Sequence, residues 1–200
     1  MDEFNYVFEL FALLLGLAVA EMLQGFGQVL KLRARRKANI AHPERGDDAA
    51  IKVRIGWMVP LLGLLVLVDL ATFWGGLWMV RGGIEMSMLT VFVVLVLIGG
   101  YYLVATQVFP DQPELWPDFD QWYALQKRFV VGGVLIINVL AQALQYPALV
   151  LASLLILLNL PAMLWLALSK RRWVDVALIA FIVGTQFFYA WAAIGVEGFE

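Results

Sequence analysis

Residues 55–79 read IGWMVPLLGLLVLVDLATFWGGLWM, an apolar run broken by one ionisable side chain, Asp69, close to its midpoint. A helix needs about 20 such residues to cross about 30 Å of hydrocarbon. This run is long enough, and it stops at Arg81-Gly82-Gly83. A charge at the bilayer centre costs from about 2.5 kcal/mol to well above that, depending on the measure. Asp69 must therefore face protein or water, or be protonated.

Outward from that run, the same pattern recurs. Spans are expected over about 4–30, 55–79, 88–109, 119–145, 148–168 and 174–196, which leaves no length for a separate soluble domain. Residues 1–200 read as a single integral membrane domain of all-α class, a six-helix transmembrane bundle. Composition agrees: 62% of the chain is hydrophobic and only 15% charged, where a soluble domain carries roughly 25% charged residues to meet water. The connectors are short. The basic run Lys31, Arg33, Arg35, Arg36 and Lys37 closes the first span, and a hydrophilic loop follows through His42-Pro43, Glu44 and Asp47-Asp48. Pro110, Pro113 and Pro117 mark the loop before the fourth span, where Asp118 and Gln121 fit a helix N-cap pairing. Tyr146-Pro147 turns the chain into the fifth span, and Lys170-Arg171-Arg172 separates it from the sixth.

Basic residues near span ends stay cytoplasmic. With the N-terminus outside, every one of the 14 lysines and arginines except Arg81 falls inside, and the reverse orientation leaves only Arg81 there. Both termini are therefore expected on the non-cytoplasmic side, with a bacterial cytoplasmic (inner) membrane as the location. Trp57, Trp116, Trp122 and Trp173 fall near the inner headgroup level, and Trp74, Trp78 and Trp191 near the outer one, as interfacial anchors. Ala18-Val19-Ala20 imitates a signal-peptide cleavage site. The preceding Met1-Asp2-Glu3 is acidic where a signal is basic, and the apolar run continues past the site, so the first span is read as a retained helix.

Absent residue types narrow the chemistry. There is no cysteine, and the one histidine, His42, lies in a loop. Disulfides, thiolate ligands, an intramembrane haem and a His-ligated metal are excluded, and no cofactor or metal is expected. No Gly-rich phosphate loop, Ser-His-Asp set or His-Glu-x-x-His run occurs, nor an Arg-rich voltage-sensing span or a Thr-Val-Gly-Tyr-Gly filter. The chain is not read as an enzyme, and nucleic acid is not an expected partner.

Three acids fall within spans: Glu9 near an outer end, Glu21 somewhat inside the middle of the first span, and Asp69. No Lys or Arg lies at comparable depth, so a salt bridge does not neutralise them, and a proton-carrying carboxyl or a bound cation becomes the natural use. Gln24 and Gln28 share a helix face with Glu21, and Gly16, Gly25 and Gly27 add small surfaces for a close neighbour. Asn138, Gln142 and Gln145 form a similar stripe in the fourth span, and Asn159 stands just before Pro161, whose ring frees a backbone carbonyl. Tyr101, Tyr102, Thr106 and Gln107 add polar groups to the third span, and Thr185, Gln186 and Tyr189 to the sixth. The expected ion or proton pathway uses Asp69, Glu21, Gln24, Asn138, Gln142 and Asn159. Such amides and acids also hold helices together with no further role, at about 0.6 kcal/mol per hydrogen bond. Arg33, Arg35, Arg36 and Lys37 read as an orientation signal that can also meet anionic lipid headgroups.

A weak internal echo lays residues 16–21 over 133–138 and Asp69-Leu70 over Asn159-Leu160. With three spans per half, it would be an inverted repeat of the kind found in secondary transporters. The reading that follows is a small proton- or cation-coupled transporter or channel in the lipid bilayer, assembled as a homo-oligomer. The alternative is a non-catalytic subunit or assembly factor of a larger membrane complex, packed through Gly75-Gly76, Gly99-Gly100 and Gly132-Gly133. A hydrolase with a Glu21–Asp69 carboxylate pair ranks third and requires the two side chains to touch.

Overall fold

The computed structural model describes residues 3–41, 54–80, 87–113, 116–145 and 150–197. Six helices follow in order: α1 (Glu3–Ala41), α2 (Met58–Val80), α3 (Met88–Thr106), α4 (Phe119–Gln145), α5 (Val150–Leu168) and α6 (Arg172–Glu197). Five of them are long and apolar enough to cross a membrane, and the described part of α5, Leu158–Leu168, is a shorter apolar helix. The loop with His42, Arg45 and Lys52, the Arg81 turn, Glu114 and the Tyr146-Pro147 turn lie outside the described residues.

Large side chains are turned the way lipid requires. Leu17, Leu30, Phe92, Leu103, Ile136, Trp165, Phe181 and Phe188 are exposed, while Asp69, Lys127, Asp175 and Gln186 are buried. A water-soluble bundle has the opposite arrangement. Every helix except the extended end of α1 thus shows apolar surface outward, and hydrophobicity alone cannot decide which face packs.

The helix α2 is the axis of the bundle. It packs against α1, α3, α4 and α6, and α5 closes the outside by packing on α4 and α6. Just over half of the α2 span, 56%, is buried, more than in any other span. The one open flank of α2 carries Leu64, Ala71 and Trp78, seven residues apart and therefore on one stripe. In an inverted repeat α5 would be the counterpart of α2. It has two principal neighbours where α2 has four, so the main helix pairings do not follow the symmetry that the sequence echo suggests.

Close approaches settle where small residues matter. A side chain at Gly25 would run into the Phe109 ring, and one at Gly133 would meet Val104 Cγ2 at 2.5 Å. Gly100 faces Ile137 across the same α3–α4 contact at 3.3 Å. Gly16, Gly27, Gly75, Gly99 and Gly132 have open space where a side chain would go, so only part of the expected glycine packing is used inside the chain.

Two boundaries differ from the sequence expectation. The first helix does not end with its apolar run near residue 30 but continues to Ala41. Lys, Arg and Ala are good helix formers, so leaving the apolar phase gives the backbone no reason to break. The third helix ends earlier, at Thr106, and Gln107 to Phe109 form a turn. Helix starts follow capping chemistry: Ser87 Oγ accepts from Thr90 N at 3.1 Å, and Asp118 Oδ1 accepts from Asp120 N at 2.8 Å. Arg54 is stitched to the start of α4, donating to Pro117 O at 2.8 Å and accepting from Phe119 N at 3.1 Å. Together with the Arg172–Asp120 ion pair, the Lys127–Ser169 and Trp122–Val108 hydrogen bonds and the Arg33–Trp57 contact, this gathers the N-terminal ends of α2, α4 and α6 and the C-terminal ends of α1, α3 and α5 at one end of the bundle, hereafter the basic end.

Candidate functional site

Asp69 is 1% exposed, at the middle of the axial helix. Its carboxylate receives donors from three other helices. Tyr101 of α3 donates its hydroxyl to Oδ2 at 2.6 Å. Asn138 of α4 donates Nδ2 to both oxygens, at 3.2 and 3.0 Å, and also to Val134 O at 3.0 Å. Gln186 of α6 donates Nε2 to Oδ1 at 2.5 Å. Among the described residues, no lysine, arginine or histidine takes part. Backbone periodicity explains the convergence: each donor sits on the face its helix turns toward α2, and Phe73, one turn along from Asp69, packs its ring against that of Tyr101, tilted by 53° with 4.9 Å between centroids.

All three partners can reverse their roles. A tyrosine hydroxyl both donates and accepts, and an amide presents NH₂ on one side and C=O on the other. The ionised carboxylate is held by donors as drawn. A protonated Asp69 can be satisfied by the same three residues after hydroxyl rotation and an amide turn. Gln186 Oε1 is buried without a hydrogen-bond partner, an acceptor in reserve beside the carboxyl. A lysine in this position would favour only the ionised form.

Two further buried aspartates lie at the basic end and are treated differently. Asp175 Oδ2 accepts from Lys127 Nζ at 2.9 Å and from Tyr123 Oη at 2.9 Å, and Lys127 also donates to Ser169 O at 2.7 Å. Lys127 and Asp175 are 6% and 2% exposed. Asp120 Oδ2 accepts from Arg172 Nη1 at 2.7 Å, with the arginine side chain largely in the open. A side chain at Gly56 would collide with the Asp120 carboxylate, so glycine is required where the chain crosses that ion pair.

The two levels are in register. Lys127 and Asn138 on α4, and Asp175 and Gln186 on α6, are each separated by three helical turns, or about 16 Å. Between them lie Val130, Val131, Val134, Ile179 and Ile182, all 0–1% exposed. The centre is thus sealed from the basic end by an apolar layer. In the other direction Thr72, Gln142 and Tyr189 follow one turn beyond Asp69, Asn138 and Gln186, and all three are half-buried.

The structure therefore brings together two of the six expected pathway residues, Asp69 and Asn138. Gln142 lies one turn above Asn138. Asn159 belongs to a separate contact, where its Oδ1 accepts from Thr185 Oγ1 at 2.7 Å, tying α5 to α6 beside Gln186. Glu21 is half-buried and Gln24 exposed on α1, which packs on α3 and α2 away from the carboxylate centre; neither is part of it. A Glu21–Asp69 pair is not formed, and among the described residues no group of three or more acids or histidines is placed to hold a metal. Tyr101 and Gln186 complete the centre. Both were legible as polar residues in apolar spans, but their helices, apolar all round, gave no sign of which face turned inward. The Lys127–Asp175 pair was missed because Lys127 read only as an orientation signal.

Comparison with protein-family models, with curated proteins and with solved structures finds no match to this chain.

Proposed function

We propose that this membrane-spanning helical protein is a small proton-coupled transporter in which Asp69 is the proton-binding group. One observation carries the reading: a fully buried carboxylate at mid-span is met by three neutral, reversible partners from three helices and, among the described residues, by no cation. An ionisable residue inside a membrane helix is a functional-site hypothesis by default, because its burial is costly. Thr72, Gln142 and Tyr189 supply a polar approach from the end opposite the basic one. The valine–isoleucine layer is the barrier on the basic side, which must part or rotate for the proton to leave. A cytoplasmic location of the basic end and a bacterial inner membrane belong to this proposal, on the strength of the basic-residue asymmetry.

Reconstitution in liposomes with a trapped pH-sensitive dye tests it. Wild-type protein is expected to carry protons down an imposed gradient, and Asp69→Asn to abolish the flux while the circular dichroism spectrum is kept. Undiminished flux in a folded Asp69→Asn variant would remove the assignment.

The second reading, a non-catalytic subunit or assembly factor of a larger membrane complex, is favoured by the apolar seal itself. If that layer never opens, the Asp69 centre is a latch that joins four helices. Native mass spectrometry after gentle extraction separates the two: multiples of 22.4 kDa point to a self-contained homo-oligomer, and unlike subunits that co-extract reproducibly point to the complex.

A further inference from the structure

The outer face of α1 carries a polar group where lipid is the neighbour. Phe11, Leu15, Ala18, Met22, Val29 and Leu32 are buried and define the side that packs on α3 and α2. Gly25, on that side, is closed over by the Phe109 ring. On the opposite side Gly16, Ala20 and Gln24 succeed one another at four-residue intervals, all three exposed, and Gly27 follows, half-buried. Nothing lies within 4 Å of where a side chain at Gly16 or Gly27 would begin. Leu13, Leu17, Leu23 and Leu30 stand exposed around this shallow strip. The Gln24 side chain makes no hydrogen bond among the described residues, and neither does that of half-buried Glu21, one turn before it.

We infer that this face of α1 is the contact with a second copy of the chain, closed by the Gln24 amides of the two copies. The glycines alone would carry nothing, since small residues are common in membrane helices. The amide is what requires a partner. Lipid tails offer it neither donor nor acceptor, and an unpaired polar group in hydrocarbon is expensive. Water at the basic end does not answer the need. Gln24 is about 10 Å inside Lys31, where the apolar run ends, and helical side chains lean toward the N-terminus, which here carries the amide deeper. A second copy is the occupant this chemistry favours. An amide is donor and acceptor at once, so two of them related by a two-fold axis satisfy each other, and each can also donate to the partner's Glu21. Two parallel copies lay leucine ridges into each other's strip of Gly16, Ala20 and Gly27, where the backbones come close. That strip bears no formal charge to repel its own image. It faces away from α2 and is independent of the Asp69 centre.

Energy transfer between donor- and acceptor-labelled copies of the full chain, reconstituted at a series of protein-to-lipid ratios, tests the inference. The wild type is expected to dimerise. Gln24→Leu should weaken the dimer roughly tenfold, at about threefold for each of two interhelical hydrogen bonds. That substitution puts an apolar side chain at a lipid-facing position, so it leaves the fold of the protomer intact. Gly16→Leu, for which the protomer has room, should weaken the dimer at least as much. Gly184→Leu, equally open but on α6, which packs on α2 and α5, should leave it unchanged. The chain has no cysteine of its own. Oxidation of Ala20→Cys in the bilayer is therefore expected to give a disulfide-linked dimer, and oxidation of Gly184→Cys to give none. A wild type that stays monomeric at every ratio, or a Gln24→Leu dimer as tight as the wild type, would overturn the interface. An unlike subunit cross-linked at position 20 in the source membrane would overturn the second copy in favour of a heteromeric complex.

Discussion

Asp69 and Asp175 are the same residue, buried to the same degree, and the bundle satisfies them by opposite means. Asp175 at the basic end has a lysine ammonium at 2.9 Å and a tyrosine hydroxyl, while Asp69 at mid-span has a tyrosine hydroxyl and two amides. A cation fixes one protonation state, because its attraction exists only while the carboxylate is charged. Neutral partners with both donor and acceptor faces fix the position and leave the charge free to change. The ion pair is therefore the feature expected of scaffolding, and the amide-and-phenol cage the feature expected of a group that binds and releases a proton.

The largest test of this contrast is Lys127→Ala. It leaves Asp175 buried without its cation, and should cost about 3–5 kcal/mol, read as a drop in thermal unfolding temperature in detergent by tryptophan fluorescence. The double replacement Lys127→Met/Asp175→Leu removes both charges and should restore most of that loss; continued instability would mean that Asp175 does more than pair. At the centre, Tyr101→Phe removes one charge-assisted hydrogen bond and should cost about 1.5–3 kcal/mol by the same measurement. Gln186→Lys sharpens the comparison by giving Asp69 the kind of partner that Asp175 has. It is expected to keep the fold and abolish proton flux, and a variant that still conducts would dissociate the carboxylate from transport. A polar side chain in the seal, Ile182→Thr, should raise passive proton leak in liposomes without lowering expression. The smallest effects are expected at the rim and the outer helix: Arg172→Gln, at a mostly exposed arginine, about 0–1 kcal/mol, and Thr185→Val about 0.6 kcal/mol.

Much of the centre could be read before any helix was placed. Asp69 stands out because one acid in an apolar run has no cheap explanation, and Asn138 because it heads a polar stripe in a span. Glu21 and Gln24 had equal claims in sequence, and the structure leaves them on α1, a helix that reaches the axis only along one side. Asn159 joined a different helix pair. Tyr101 and Gln186 were visible as polar residues but not as partners of Asp69. An amphipathic helix announces its inner face by periodicity, and spans that meet lipid outside and apolar side chains inside do not. Which residues meet depends on how each helix is rotated about its own axis, a property of packing between helices.

The sequence by itself determined that the chain is helical, that lipid is its solvent, and that its basic residues collect at one end. Those follow from transfer free energies and charge, which each residue carries wherever it sits. Only the tertiary structure decided that α2 is the axis, that α1 runs on to bring Arg33 over Trp57, and that one aspartate receives a lysine and another receives amides. Those depend on distances between helices far apart in the chain, and no local property of the residues encodes them.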